Sequence, residues 1–221
     1  MLGRLFGRSS ASAPPDAAKA SYRARYDSKF APLLGIRTES FRLMLGLLED
    51  TCRTLDRPAL IVETGSVRRT GAWQDEGQST CLWADFADHY ETEVHTVDLD
   101  PGPARVIREE LKLGPAVHAH TGDSVRFLHD FAQREPHRHI DLLYLDSFDF
   151  DPANPFPSAF HHMKELAAIR PCLGPGTIVA VDDNPQVEGG GYTGKALLVA
   201  EWFDQVGIPR LFTGYQFIWR F

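Results

Sequence analysis

The sequence predicts an α/β fold, a doubly wound and mostly parallel sheet that ends in an antiparallel hairpin. Three observations carry that prediction. Short β-branched or apolar runs alternate with helical stretches along most of the chain, and most of these runs stop at an acidic residue or run into a glycine. The final alternation then breaks into two short strands around Gly214.

Residues 1–20 are rich in Ser, Ala, Pro and Arg, which predicts a flexible N-terminal arm and leaves 21–221 as one domain. Phe41, Met44, Leu45 and Leu48 recur at helical spacing, so a helix from about Glu39 to Leu55 is expected ahead of the sheet. Strands follow at Ala59 to Glu63, Glu93 to Asp98, Ala116 to His120, Ile140 to Asp146 and Thr177 to Asp182. The helices between them fall near Ser79 to His89, Pro103 to Leu113, Ser124 to Arg134 and Pro157 to Ile169, at or near capping or proline start signals. A glycine-rich loop from Glu188 to Gly194 leads into a helix to about Val206. Arg210 to Thr213 and Tyr215 to Arg220 form the expected edge hairpin.

A length of 221 residues suits one such domain, and 43% hydrophobic residues suffice for a full core. The net charge of -7 argues against a nucleic-acid partner, because phosphate recognition requires a basic surface; a small molecule is the expected ligand. Cys52, Cys81 and Cys172 are odd in number and form no CxxC pair, which fits a reducing compartment. The opening MLGRLFGRSS is too poor in apolar residues for a secretory leader, and no apolar run reaches membrane-spanning length. A cytoplasmic location without membrane association is expected.

Ligands of open α/β sheets bind beyond the carboxyl ends of the strands, so the residues there carry the functional reading. The first strand ends Glu63-Thr64-Gly65, with Ser66 next, and Gly77-Gln78-Ser79-Thr80 opens the following helix; a plain strand-to-helix turn is the alternative. Asp98 ends the second strand, where a carboxylate can accept both ribose hydroxyls of an adenosine. After the third strand, Asp123 and Ser124 could bond an adenine ring, cap the next helix, or do both. Asp146 ends the fourth strand, and Asp182-Asp183-Asn184 ends the fifth. Carboxylates brought together there would repel unless a hard divalent cation joined them, and oxygen donors point to magnesium. An Asx-type turn before Pro185 is the alternative.

Glu63-Thr64-Gly65, Asp98, Gly122-Asp123-Ser124, Leu145-Asp146 and Asp183-Asn184 resemble, in order and nearly in spacing, class I S-adenosylmethionine-dependent methyltransferases. The last two sets resemble the metal ligands of the catechol O-methyltransferase and macrocin O-methyltransferase groups. The resemblance covers about residues 37 to 221 and implies a Rossmann-like seven-stranded sheet. It also implies Glu63 and Gly65 beside the methionine portion, with Ser66, Gln78 and Ser79 nearby and Asp146 bordering the cofactor. Asp98 would hold the ribose and Asp123 and Ser124 the adenine. Asp146, Asp183 and Asn184 would bind the metal, which could hold a substrate hydroxyl.

Two departures stand out. The loop Ser66 to Glu76 is longer than the family's glycine loop, and its arginines and Trp73 are candidates for a substrate mouth. Asp149 stands where the catechol enzymes carry a lysine, so no lysine base carries over, and Asp149, His161 and His162 become the base candidates. The segment Phe148 to Pro157 suits an acceptor wall, and Gly189-Gly190-Gly191-Tyr192 a mobile flap.

The expected activity is metal-dependent O-methylation of a small-molecule hydroxyl, with Asp146 at the reacting centre. A noncatalytic cofactor-binding subunit is one rival. A nicotinamide-dependent reductase is the other, and it lacks G-x-G-x-x-G after the first strand. Tyr22, Tyr26 and Phe30 are candidates for contact with a partner subunit in a homo-oligomer, or for covering the site.

Overall fold

A computed structural model describes residues 21–74 and 78–221. The expected arm at 1–20, and Gly77 with its neighbours 75 and 76, lie outside the described residues. The elements run α1 (Tyr22–Lys29), α2 (Thr38–Thr54), β1 (Leu60–Thr64), α3 (Ser79–Tyr90), β2 (Glu93–Asp98), α4 (Pro101–Arg105), β3 (Val117–Thr121) and α5 (Ser124–Arg134). They continue with β4 (Leu142–Leu145), α6 (Phe156–Ile169), β5 (Ile178–Val181), α7 (Leu197–Val206), β6 (Arg210–Thr213) and β7 (Phe217–Arg220).

The seven strands form one sheet in the order β3-β2-β1-β4-β5-β7-β6, parallel except at β7. The terminal hairpin does lie at an edge, with its second strand inserted between β5 and β6. Successive residues of the central strands face opposite sides, yet both sides are apolar because helices cover both. Ile61, Leu142, Tyr144 and Ala180 pack with Tyr22, Phe41, Met44 and Trp83 from α1 to α3. Val62, Leu143, Leu145 and Val179 pack with Leu128, Leu166 and Phe203 from α5 to α7. Among the described residues no helix is long and apolar enough to cross a membrane.

Three local differences from expectation have physical causes. Asp100 caps α4 by accepting from the Gly102 amide at 2.7 Å, so that helix starts at Pro101, two residues early. It then widens into a π-helical stretch, Val106–Leu111, closed by Lys112 at φ 49°. The aromatic segment before α2 is itself helical, and Tyr22, Tyr26 and Phe30 are buried in the core rather than offered to a partner. Trp73 packs against Phe30 at 5.6 Å between ring centroids, so it joins the same core instead of a substrate mouth.

Candidate active site

In-register pairing sets Thr64, Val97, Leu145 and Val181 level across β1, β2, β4 and β5. The next residues, Gly65, Asp98, Asp146 and Asp182, therefore share one rim at the carboxyl edge. Between β1 and β4 the strand order reverses, the place where such sheets open a crevice. Two adjoining cavities occupy it, of about 220 Å3 and about 110 Å3, and Gly65, Arg68 and Asp149 line both.

The larger cavity has the chemistry of a nucleoside site. Asp98 is held in place by two backbone donors, the Ser66 amide at 3.2 Å and the Asp100 amide at 3.0 Å. Leu99 and Phe148 offer exposed apolar faces to a flat ring. Asp123 caps α5 through the Arg126 amide at 2.8 Å and also lines the cavity, so capping and ligand contact are compatible. Ser124 meets His161 Nε2 at 3.0 Å on the same wall. Gly65 has φ +81°, and a Cβ there would lie 2.5 Å from the Asp146 carbonyl oxygen; only glycine lets the β1 turn pass this close to β4. An acid, an apolar slot and a side-chain-free turn fit an adenosine-bearing cofactor.

Three of the expected cofactor contacts turn inward instead. Glu63 is fully buried and accepts from Ser79 Oγ at 2.5 Å, Thr80 Oγ1 at 2.6 Å, Thr96 Oγ1 at 2.6 Å and Trp83 Nε1 at 2.9 Å. Burial raises its pKa and these four donors oppose the rise, so Glu63 and Ser79 tie β1 to α3. Gln78, at φ 46°, accepts from the Gly71 amide and donates to the Arg69 carbonyl, holding the long loop together. Ser66 keeps a place on the smaller cavity while its hydroxyl bonds Thr96 at 2.7 Å.

The smaller cavity is lined by Arg37, Asp146, Asp183 and Lys195 among others. Asp146, Asp182 and Asp183 each bring a carboxylate oxygen within 4.8 Å of the other two. The buried ammonium of Lys195 donates to Asp146 Oδ1 at 2.7 Å and forms an ion pair with Asp183 Oδ2 at 2.8 Å. Arg37, also buried, pairs with Asp182 at 3.0 Å and Asp183 at 3.2 Å, and the Tyr144 hydroxyl donates to Asp182 at 2.7 Å. Burial pushes the Asp146 carboxyl upward against the pull of Lys195, whereas Lys195 and the other donors around Asp183 hold that group down.

The divalent ion expected at Asp146, Asp183 and Asn184 does not fit this arrangement. Asn184 faces away from the cluster, donating to the carbonyls of Val181 and Asp182 and accepting from the Ala196 amide at 2.8 Å. Magnesium needs oxygens at about 2.0–2.1 Å around it. Lys195 Nζ lies between the two carboxylates that would have to supply them.

The base candidates differ in setting. Asp149 is exposed and paired with Arg68 at 3.2 Å, at the junction of the two cavities. His161 lines the larger cavity and lies 3.3 Å from Glu165, which also accepts from Ser147 at 2.6 Å and Thr64 at 3.2 Å. His162 is buried, with Nδ1 donating to the Ser158 carbonyl at 2.7 Å, and it reaches neither cavity. The glycine-rich flap is pinned by a bridge between Gln186 and Tyr192, and Tyr192 packs on Phe217 rather than over Asp146.

A family model described as a methyltransferase domain matches residues 70–184, just over half of the chain. The chain belongs to the methyltransferase-domain family. A comparison with curated proteins found no match. Solved structures share the methyltransferase's fold at low identity. CalS11, a TDP-rhamnose 3'-O-methyltransferase of calicheamicin biosynthesis, superposes with a TM-score of 0.56 at 18% identity, covering 90% of this chain and 86% of its own. An O-methyltransferase from Bacillus cereus in complex with SAH gives 0.53 at 14%, covering 94% and 92%. MycE of the mycinamycin pathway, in complex with Mg and SAH, gives 0.54 at 15%, covering 91% of this chain and 53% of its own.

Sequence reasoning about the methyltransferase missed Arg37, Lys195 and Glu165. Arg37 precedes the periodic part of α2 and Lys195 follows a glycine loop, so neither belongs to a pattern that announces an inward-facing charge. Gly194 was the available signal. A Cβ there would lie 2.0 Å from the Asp183 carbonyl oxygen, so the chain crosses β5's end where only glycine fits and delivers Lys195 to the rim.

Proposed function

We propose that this methyltransferase moves the methyl group of S-adenosylmethionine to a hydroxyl of a small molecule. The observation that carries the reading is the pair of joined cavities at the sheet's switch point, one with nucleoside-type groups and one lined by acids and cations. Neighbouring folds that are O-methyltransferases or are bound to SAH support it. Lys195 stands between the carboxylates that a divalent ion would need as ligands.

Bound S-adenosylmethionine supplies a methyl carbon on a sulfonium: its C–S bond breaks with the electron pair left on sulfur, an O–C bond forms, and the hydroxyl proton departs. The protein's work is alignment and exclusion of water. Asp98 would accept from the ribose hydroxyls, Asp123 and Ser124 would border the adenine, and Leu99 and Phe148 would cover its faces. Gly65 lines both cavities without a side chain, so the methionine portion would lie over its backbone on the way to the smaller cavity. Asp146 on that cavity's wall is placed to take the acceptor proton, with Asp149 and His161 as neighbouring alternatives. Arg68 and Asp149, which line both cavities, would border the acceptor.

Calorimetry with S-adenosylmethionine and SAH tests the first half, and labelled methyl transfer across a panel of sugars and phenols tests the second. Both ligands are expected to bind, and Asp98→Ala to weaken them about tenfold or more, the size of one lost charged hydrogen bond. Absence of binding by the unaltered protein ends the proposal.

A further inference from the structure

We propose that Lys195 is the resident cation of the transfer site, and that the methyltransferase therefore works without a divalent metal. The inference rests on the reading of this rim as the methyl-transfer site.

Lys195 is not a surface lysine that has drifted toward acids. Gly194 runs against the Asp183 carbonyl, the Lys195 amide donates to that same carbonyl at 3.2 Å, and the Ala196 amide bonds Asn184 Oδ1 at 2.8 Å. The backbone on both sides is thus tied to the end of β5, and the Lys195 side chain is only 2% exposed. Its ammonium has three protons and three acceptors: the Asp146 carbonyl at 3.2 Å, Asp146 Oδ1 at 2.7 Å and Asp183 Oδ2 at 2.8 Å. A lysine in this state bridges the ends of β4 and β5, as a metal ligated by both strands would.

The charges agree. Asp146, Asp182 and Asp183 face Lys195 and Arg37, so the cluster already carries two protein cations against three carboxylates. An arriving dication would have to expel a buried ammonium from its ion pairs and sit beside a buried guanidinium, and both changes oppose binding. Asn184, which would complete an oxygen set, is engaged instead in holding the segment that carries the lysine. Lys195 acts as a positioning residue: it fixes the Asp146 carboxylate at the cavity and lends the site a permanent positive charge.

The test uses chelator-treated full-length protein and Mn2+ as the probe, read by electron paramagnetic resonance. The unaltered protein is expected to leave Mn2+ free at millimolar concentration, to bind SAH equally with and without Mg2+, and to keep its turnover in EDTA. Lys195→Met removes the charge while keeping much of the bulk, and is expected to gain Mn2+ binding that a further Asp183→Asn change abolishes. Lys195→Arg is expected to stay metal-free. Stoichiometric Mn2+ binding by the unaltered protein, lost in Asp183→Asn, overturns the proposal, as does a tenfold loss of turnover in EDTA. The Mn2+ measurement on the unaltered protein stands even if a variant does not fold. Failure of SAH to bind at all would count against the functional reading instead.

Discussion

Glu63 shows how a single buried carboxylate can be an anchor rather than a ligand. Replacing it with alanine would leave Trp83 Nε1 and the hydroxyls of Ser79, Thr80 and Thr96 without their acceptor inside the core. A loss of about 3–5 kcal/mol is expected for Glu63→Ala, on the scale of breaking a buried charged network, and urea unfolding measures it. His162 carries a pH prediction. Burial lowers its pKa from the ordinary 6.5 to about 4, so the unfolded chain binds a proton across that window while the folded chain does not. Stability should therefore fall as pH drops from about 6.5 to 4, by on the order of 3 kcal/mol. Glu165 acts lower still. Burial would raise it, but hydrogen bonds from His161 and Ser147 among other contacts bring it down to about 2; its contribution is present above pH 4.5 and disappears toward 2. Denaturant midpoints that are level from pH 7 to 4.5 would rule out the assignment for His162.

At the scale of elements, the turn after β1 and the turn before α7 depend on glycines whose missing side chains make room for a neighbouring strand end. Gly65→Ala should lower SAH affinity at least tenfold in calorimetry, because the added methyl meets the Asp146 carbonyl and the positive φ is strained. The alternation of apolar runs and helices was legible because burial on both faces leaves β4 and β5 almost wholly apolar and opens β1 with Leu60-Ile61-Val62. The position of Asp98, Asp123 and Asp146 beside the cavities was legible for the related reason that the end of such a strand is where a charge reaches water or a ligand. Side-chain direction was not legible. Nothing in the order Asp182-Asp183-Asn184 says that Arg37, some 145 residues earlier, would engage the first two, or that the third would turn to the Ala196 amide. Such pairings are set by tertiary packing.

For the whole molecule, the segment from Tyr22 to Arg37 joins the core to the rim. Tyr22 donates to Asp85 at 2.9 Å, Arg25 and Lys29 pair with that same carboxylate, and Arg37 ends the segment among the site's acids. A chain shortened to begin at Thr38 should lose cooperative thermal unfolding and SAH binding together, since it uncovers Phe41 and Met44 and leaves Asp182 without its guanidinium. Retention of full affinity by that shortened chain would show that the segment is dispensable. The crevice between β1 and β4 divides the rim between the sheet's two wings, and on the proposed function β2 and β3 would serve the methyl donor, whereas β5 and the Gly194–Lys195 crossing would serve its recipient. Mutational libraries confined to the second wing could thus retune which alcohol is accepted while donor recognition is inherited intact, giving engineers two dials that turn separately.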